Sequence, residues 1–155
     1  MKIDVGLDKD TRKQIGTSLG RVLADTYTLY LATHNFHWNV TGPMFPSLHV
    51  QFETQYNQLW LSVDEIAERI RALGAPAPGT SSKFAELSTL KEPTGLPPAL
   101  EMVRWLCDGH EAVCKTCREV AVQAEEHGDQ VTLDLLTRRM TDHEKTAWML
   151  RSLLE

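Results

Sequence analysis

The chain has 155 residues, 42% of them hydrophobic and 24% charged, which is enough for one domain with a hydrophobic core and too few for two ordinary ones. Its net charge of −5 gives no general attraction to nucleic acid, and no apolar run approaches bilayer-spanning length, so membrane proteins are excluded. The polar start MKIDVGLDKDTRK lacks a secretory signal, which leaves the cytoplasm as the expected location, where three cysteines do not form a disulfide framework.

Four long stretches show the apolar spacing of amphipathic helices and none alternates like a strand, so the chain reads as all-α, a single domain over residues 1–155 behind a short tail at 1–8. The first helix runs from about Asp8 to His37, with Ile15, Leu19, Val22, Leu23, Tyr30 and Leu31 on one side, and stops at the Gly42-Pro43 punctuation. The second begins near Pro46-Ser47 and carries Phe52, Tyr56, Leu59, Val63, Ile66, Ile70 and Leu73 in 4-3-4-3 steps before Gly74 and Pro76. From Gly74 to Pro98 lies a segment rich in Pro, Gly, Ser and Thr, with a short helix at Lys83 to Leu90. Its length suits a crossover between two parallel helices. The third helix, about Pro97 to His127, has Leu100, Val103, Cys107, His110, Cys114, Cys117 and Ala121 in register. The fourth, about Asp129 to Leu154, has Leu136, Met140, His143, Ala147, Leu150 and Leu154. Short, long and short connections in that order predict a ferritin-like four-helix bundle.

The second helix also carries His49, Glu53, Asp64 and Glu68. At about 100° per residue these four fall within about 100° of one another, on a face about 120° from the core seam. At about 1.5 Å of rise per residue, the His49/Glu53 pair lies roughly 16 Å from the Asp64/Glu68 pair, too far for one ion. The pattern is balanced about a midpoint between Gln58 and Leu59, so two such helices running antiparallel about a two-fold axis would bring each pair to the partner's other pair. The spacing predicts a metal site at a subunit interface. Trp60 falls on the same face and is expected to be covered by the partner helix. His37 joins if the first two helices form a hairpin. Imidazole with carboxylate suits Fe(II), Mn(II) or Zn(II), iron best of these, and is poor for Cu(I). The Glu-x-x-His motifs of an intramolecular di-iron bundle are absent.

The string THNFHWNVTGPMFPSLHVQFETQY, then VDEIAERIRALG and the closing HEKTAWMLRSLLE, resembles the Dps family, the miniferritins or DNA-protection-during-starvation proteins, over essentially the whole chain. The resemblance implies a hollow homo-dodecamer that oxidises Fe(II), preferably with hydrogen peroxide, and stores ferric mineral inside, protecting the cell from oxidative damage. It implies a di-iron ferroxidase centre with His37, His49 and Glu53 from one subunit and Asp64 and Glu68 from its two-fold partner, and with zinc as a substitute ion. Glu53 stands where many members have Asp. Trp38 matches the family tryptophan beside the centre, either as an electron donor or radical trap or as an interfacial packing residue. Glu125 and Asp134 match acidic positions of the three-fold pores. Gln130 stands where an Asp can occur, and Asp129 and Glu126 read as a solvated helix terminus.

Cys107, Cys114 and Cys117 lie on the apolar seam and read as small core residues rather than a redox or zinc motif. His110 and His143, on the same seams, read as hydrogen-bonded packing residues, and His34 as exposed. Lys2 and Lys9 are offset by Asp4, Asp8 and Asp10, so DNA binding is expected to be weak or absent, which a mobility-shift series at moderate salt tests. Two other functions remain open on these grounds: a DNA-coating nucleoid protein and a non-redox zinc or metal buffer cage.

Overall fold

A computed structural model describes residues 3–155; Met1 and Lys2, and with them one of the tail's two lysines, lie outside the described residues. Five helices account for the fold: α1 Lys9–Asn39, α2 Phe45–Ala72, α3 Ser81–Leu87, α4 Ala99–Glu126 and α5 Gln130–Arg151. No strand occurs among the described residues. None of these helices is long and apolar enough to cross a membrane.

Side-chain contacts fix the directions. Ser18 meets Gln123 and Phe36 meets Trp105, so α1 and α4 run antiparallel. Cys107 meets Ala147 and Cys114 meets Met140, so α4 and α5 do too. With α1 and α2 also forming a hairpin, α2 and α4 are parallel, and the segment 73–98 is the crossover that joins them. The pairs α1/α2 and α4/α5 pack most extensively, whereas α2 touches α5 little. The seams meet in one core in which Ile15, Leu19, Leu23, Phe52, Ile66, Ile70, Leu106 and Leu136 are all fully buried.

Helix ends follow local chemistry. Asp8 caps α1 by accepting from the backbone N–H of Asp10 and Thr11, and Gly74, at φ +94°, closes α2 in a conformation that side chains disfavour. The short helix lies at Ser81–Leu87 rather than Lys83–Leu90. Thr80 starts it early by capping Lys83 N–H, and Ser88 and Thr89 end it early because both turn to Asp25. Two seam residues are not core. Leu31 is 42% exposed, on a face of α1 shared with Thr28, Asn35 and Trp38 that looks towards Glu92 and Pro93 of the crossover. Leu100 is 48% exposed at the start of α4, more than a turn before Trp105, which meets Phe36 near the end of α1.

Two buried polar nodes tie the elements together. Asp25 accepts from Ser88 Oγ (2.9 Å), Thr89 N–H (2.6 Å), Thr89 Oγ1 (2.9 Å) and Thr116 Oγ1 (2.7 Å), so one carboxylate pins the crossover to α1 and α4. Asp129, expected as a solvated terminus, is instead buried. It caps α5 through Thr132 and takes both contacts of Arg69 at 2.8 and 2.9 Å. Those bonds hold its carboxyl below the usual range although burial pushes the other way.

The three cysteines are free and buried. Burial raises the Cys114 thiol to about 11 and the Cys117 thiol to about 12, and Cys107 and Cys114 donate to the Ala147 and Met140 carbonyls, as packing residues do. His110 and His143 bond to each other, Nδ1 to Nδ1 at 2.8 Å, with both Nε2 atoms buried and unpartnered. Burial pushes His110 down to about 3, and burial, then His110 and Arg139, push His143 well below its ordinary value. Both rings are neutral when folded, while the unfolded chain binds protons at them below about pH 6.5. Stability is therefore fully kept above that pH and lost as pH falls through it, by about 2 kcal/mol per histidine at about pH 5. Urea midpoints should drop between neutral pH and about pH 5, and less so in His110→Leu/His143→Leu. Equal drops in parent and variant would assign the acid sensitivity elsewhere.

Candidate metal centre

The α1/α2 hairpin brings His37 and His49 together. Their rings stack with centroids 3.8 Å apart and planes 18° apart, and their hydrogen bonds are reciprocal. His37 Nδ1 lies 2.8 Å from the His49 carbonyl oxygen, and His49 Nδ1 lies 2.8 Å from the His37 carbonyl oxygen. A carbonyl only accepts, so each Nδ1 carries the hydrogen and donates. In that tautomer the lone pair of the imidazole is on Nε2. Such a backbone bond fixes both tautomer and ring plane, as it does behind many metal-binding histidines. His37 is buried and His49 half-buried.

Glu53, Asp64 and Glu68 lie on the exposed side of α2, which is one continuous helix from Phe45 to Ala72. None of the ion pairs among the described residues involves them. No three histidine, cysteine, aspartate or glutamate side chains among the described residues converge to hold a metal. The structure thus brings together the two histidines and leaves the carboxylates along the same helix, about 16 Å from pair to pair by helical rise. Trp60, on their face, is 54% exposed, with Tyr30 of α1 against its ring at 5.5 Å.

An aromatic cluster that spacing did not reveal surrounds the histidines. His34, expected on the surface, is half-buried beside two rings: it stacks on Tyr56 at 3.9 Å and lies tilted by 36° against Trp38 at 4.1 Å. Tyr56 meets His37 edge-on at 5.2 Å. Tyr30 lies 6.4 Å from Tyr56 and 5.5 Å from Trp60, and its hydroxyl is 3.2 Å from His34 Nδ1. Burial, more than the neighbouring tyrosines, raises the Tyr30 phenol, and burial, then His37, lowers His34. Trp38 itself is 62% exposed. The i, i+4 step from Tyr30 to His34 and from His34 to Trp38 is the sequence signal for this row.

Of the acidic positions near the α4–α5 turn, Glu125 and Asp134 are both exposed. Asp134 pairs with Arg138 at 3.1 Å, which also reaches Glu65 at 2.6 Å, so its charge is partly offset. Gln130 opens α5, and Asp129, turned inward to Arg69, adds no charge to that surface.

Residues 17–155 match the ferritin-like domain family. The chain is 37% identical to DNA protection during starvation protein 2 of Bacillus anthracis over 92% of its own length and 97% of that protein's. It is 42% identical to a low temperature-induced protein of Nostoc over 99% of its length and 87% of that protein's. Its structure matches a Dps crystal structure from Vibrio cholerae, described as one of the ferritin-like diiron-carboxylate proteins, with TM-score 0.95 and 31% identity over 100% and 98% of the two chains.

Proposed function

Because the chain belongs to the Dps family of ferritin-like proteins, we propose that it is a ferroxidase and iron-storage protein that protects its cell by consuming Fe(II) and hydrogen peroxide together. The observation that carries this reading is the reciprocal locking of His37 and His49, which leaves two Nε2 atoms available as metal ligands beside a helix face of carboxylates outside the ion pairs of the described residues. In this reading His37, His49 and Glu53 of one subunit and Asp64 and Glu68 of its two-fold partner enclose two Fe(II) ions. Carboxylate oxygens favour Fe(III) over Fe(II), which eases the loss of one electron from each. Two electrons and two protons then take one peroxide to two waters, and no hydroxyl radical is released.

The half-exposed Trp60 and the exposed Trp38, Leu61, Trp148 and Met149 are large apolar side chains that a monomer seldom leaves in water. Their exposure supports association between subunits, which membership of the Dps family makes a closed shell of twelve, with ferric mineral inside and iron entering past Glu125 and Asp134. Anaerobic Fe(II) at two ions per subunit, followed by peroxide, tests the reading. Prompt ferric absorbance at one peroxide per two irons is expected. Ferric absorbance no faster than in protein-free buffer would overturn it, and zinc held tightly without oxidation would favour a buffer cage.

A further inference from the structure

His110 of α4 and His143 of α5 lie outside the iron centre proposed above, and packing alone does not ask for them. Their rings sit in the core with centroids 5.0 Å apart and meet Nδ1 to Nδ1 at 2.8 Å. One Nδ1 donates and the other accepts, so one Nε2 carries a hydrogen and the other a lone pair. Both Nε2 atoms are buried and unpartnered. Buried polar groups without partners destabilise a fold, and two apolar side chains would avoid that. No third histidine, cysteine, aspartate or glutamate among the described residues converges on the pair to hold a metal. The thiols one turn to either side, Cys107 and Cys114, donate to the Ala147 and Met140 carbonyls, and burial raises Cys114 to about 11. Two opposed imidazole nitrogens are therefore the whole donor set.

Zn(II) takes four ligands, whereas Cu(I), a closed-shell monovalent ion, is stable between two nitrogens in a line. A metal–nitrogen bond of about 2 Å puts the nitrogens of such a unit about 4 Å apart, so the rings need to part by roughly 1 Å. His143 has room for that movement, because it forms part of the wall of a cavity of about 320 Å³ between α4 and α5, beside Cys114, Glu111 and Glu144. The same cavity gives the ion its way in. We propose that His110 and His143 bind one Cu(I) between their Nδ1 atoms, so that the protein withholds copper from peroxide. The hydrogen between the rings moves to the Nε2 of the ring that held it, and two copper–nitrogen bonds replace one hydrogen bond. The protein neither gains nor loses a proton. A single positive charge is cheaper to bury than a double one, and Arg139, whose charge reaches His143, is already paired with Asp142. Free Cu(I) gives one electron to peroxide and leaves Cu(II), hydroxide and hydroxyl radical. Between two collinear nitrogens the tetragonal ligands that Cu(II) prefers are missing, so that electron is held back.

The test is an anaerobic titration of the assembled, iron-free protein with Cu(I) in the presence of bicinchoninate, a coloured Cu(I) chelator, followed by copper X-ray absorption spectroscopy. One Cu(I) per subunit should be withheld from the chelator, and its spectrum should show two nitrogen neighbours and no sulfur. His110→Leu/His143→Leu should surrender that copper. His37→Ala/His49→Ala and Cys114→Ser should keep it, which separates the site from the iron centre and from the thiols. If the leucine variant fails to assemble, the parent's spectrum decides by itself, because sulfur neighbours or more than two nitrogens would refute a two-histidine site. A parent that withholds no copper, or a leucine variant that withholds as much as the parent, overturns the proposal.

Discussion

Shells built from His49→Ala subunits should oxidise Fe(II) with peroxide more slowly than the parent by at least the ~10–100-fold that loss of an outer partner of a metal ligand costs, since here the ligand itself is lost. The substitution is clean for a structural reason. His37 donates to the backbone carbonyl of residue 49, which alanine retains, so His37 keeps its tautomer and its free Nε2. What disappears is one imidazole donor and the ring stacked on His37. His49 is only half-buried, so fold and assembly should be little changed. Stopped-flow ferric absorbance under anaerobic conditions measures the effect, and a rate equal to the parent's would remove His49 from the centre.

The largest effect on stability is expected at Asp25. Alanine there strands the Thr89 N–H and the hydroxyls of Ser88, Thr89 and Thr116, all of which donate to this one carboxylate. Asp25 is fully buried and Thr116 is almost so, and water cannot readily replace the lost acceptor. Breaking such a buried charged node costs about 3–5 kcal/mol. At roughly 2–4 °C per kcal/mol for a domain of this size, the unfolding temperature should fall by about 10 °C. Because the node anchors the crossover, amides near Ser88 and Thr89 should also exchange with solvent faster than in the parent. Scanning calorimetry on the assembled protein decides the matter. A fall of only a degree or two would mean that the crossover is held by Phe84 and its apolar neighbours instead.

The helices and the ligand face were legible because both are periodic: 3-4 spacing announces a buried stripe, and His49, Glu53, Asp64 and Glu68 obey the same period with a different phase. Nodes made across long separations were not. Asp25 directly follows the apolar run Val22-Leu23-Ala24, and nothing near it in sequence announces partners at 88, 89 and 116. Asp129 looked like a solvated helix end because Arg69, which draws it inward, lies on another helix. The exposed Leu31 and Leu100 obey the seam period, but period alone cannot say where a neighbouring helix stops. His34 resembled a surface histidine for a similar reason: its cover comes partly from Tyr56 on α2. The reciprocal bonds of His37 and His49 end on backbone carbonyls, which every residue possesses, so no residue choice could reveal them.

The central claim is that each metal centre is completed by two subunits. It is tested most directly by mixing two inactive variants, His37→Ala/His49→Ala and Asp64→Ala/Glu68→Ala, by co-expression into one shell. In a two-fold pair made of one subunit of each kind, one of the two sites has lost four of its five ligands and the other has lost none. Random mixing then leaves about one site in four intact. The mixed shells should recover about a quarter of the parent's peroxide-driven Fe(II) oxidation, while each variant shell alone stays inactive. If the ligands acted within single subunits, no mixed shell would hold an intact site, and activity no higher than that of the separate variants would contradict the account.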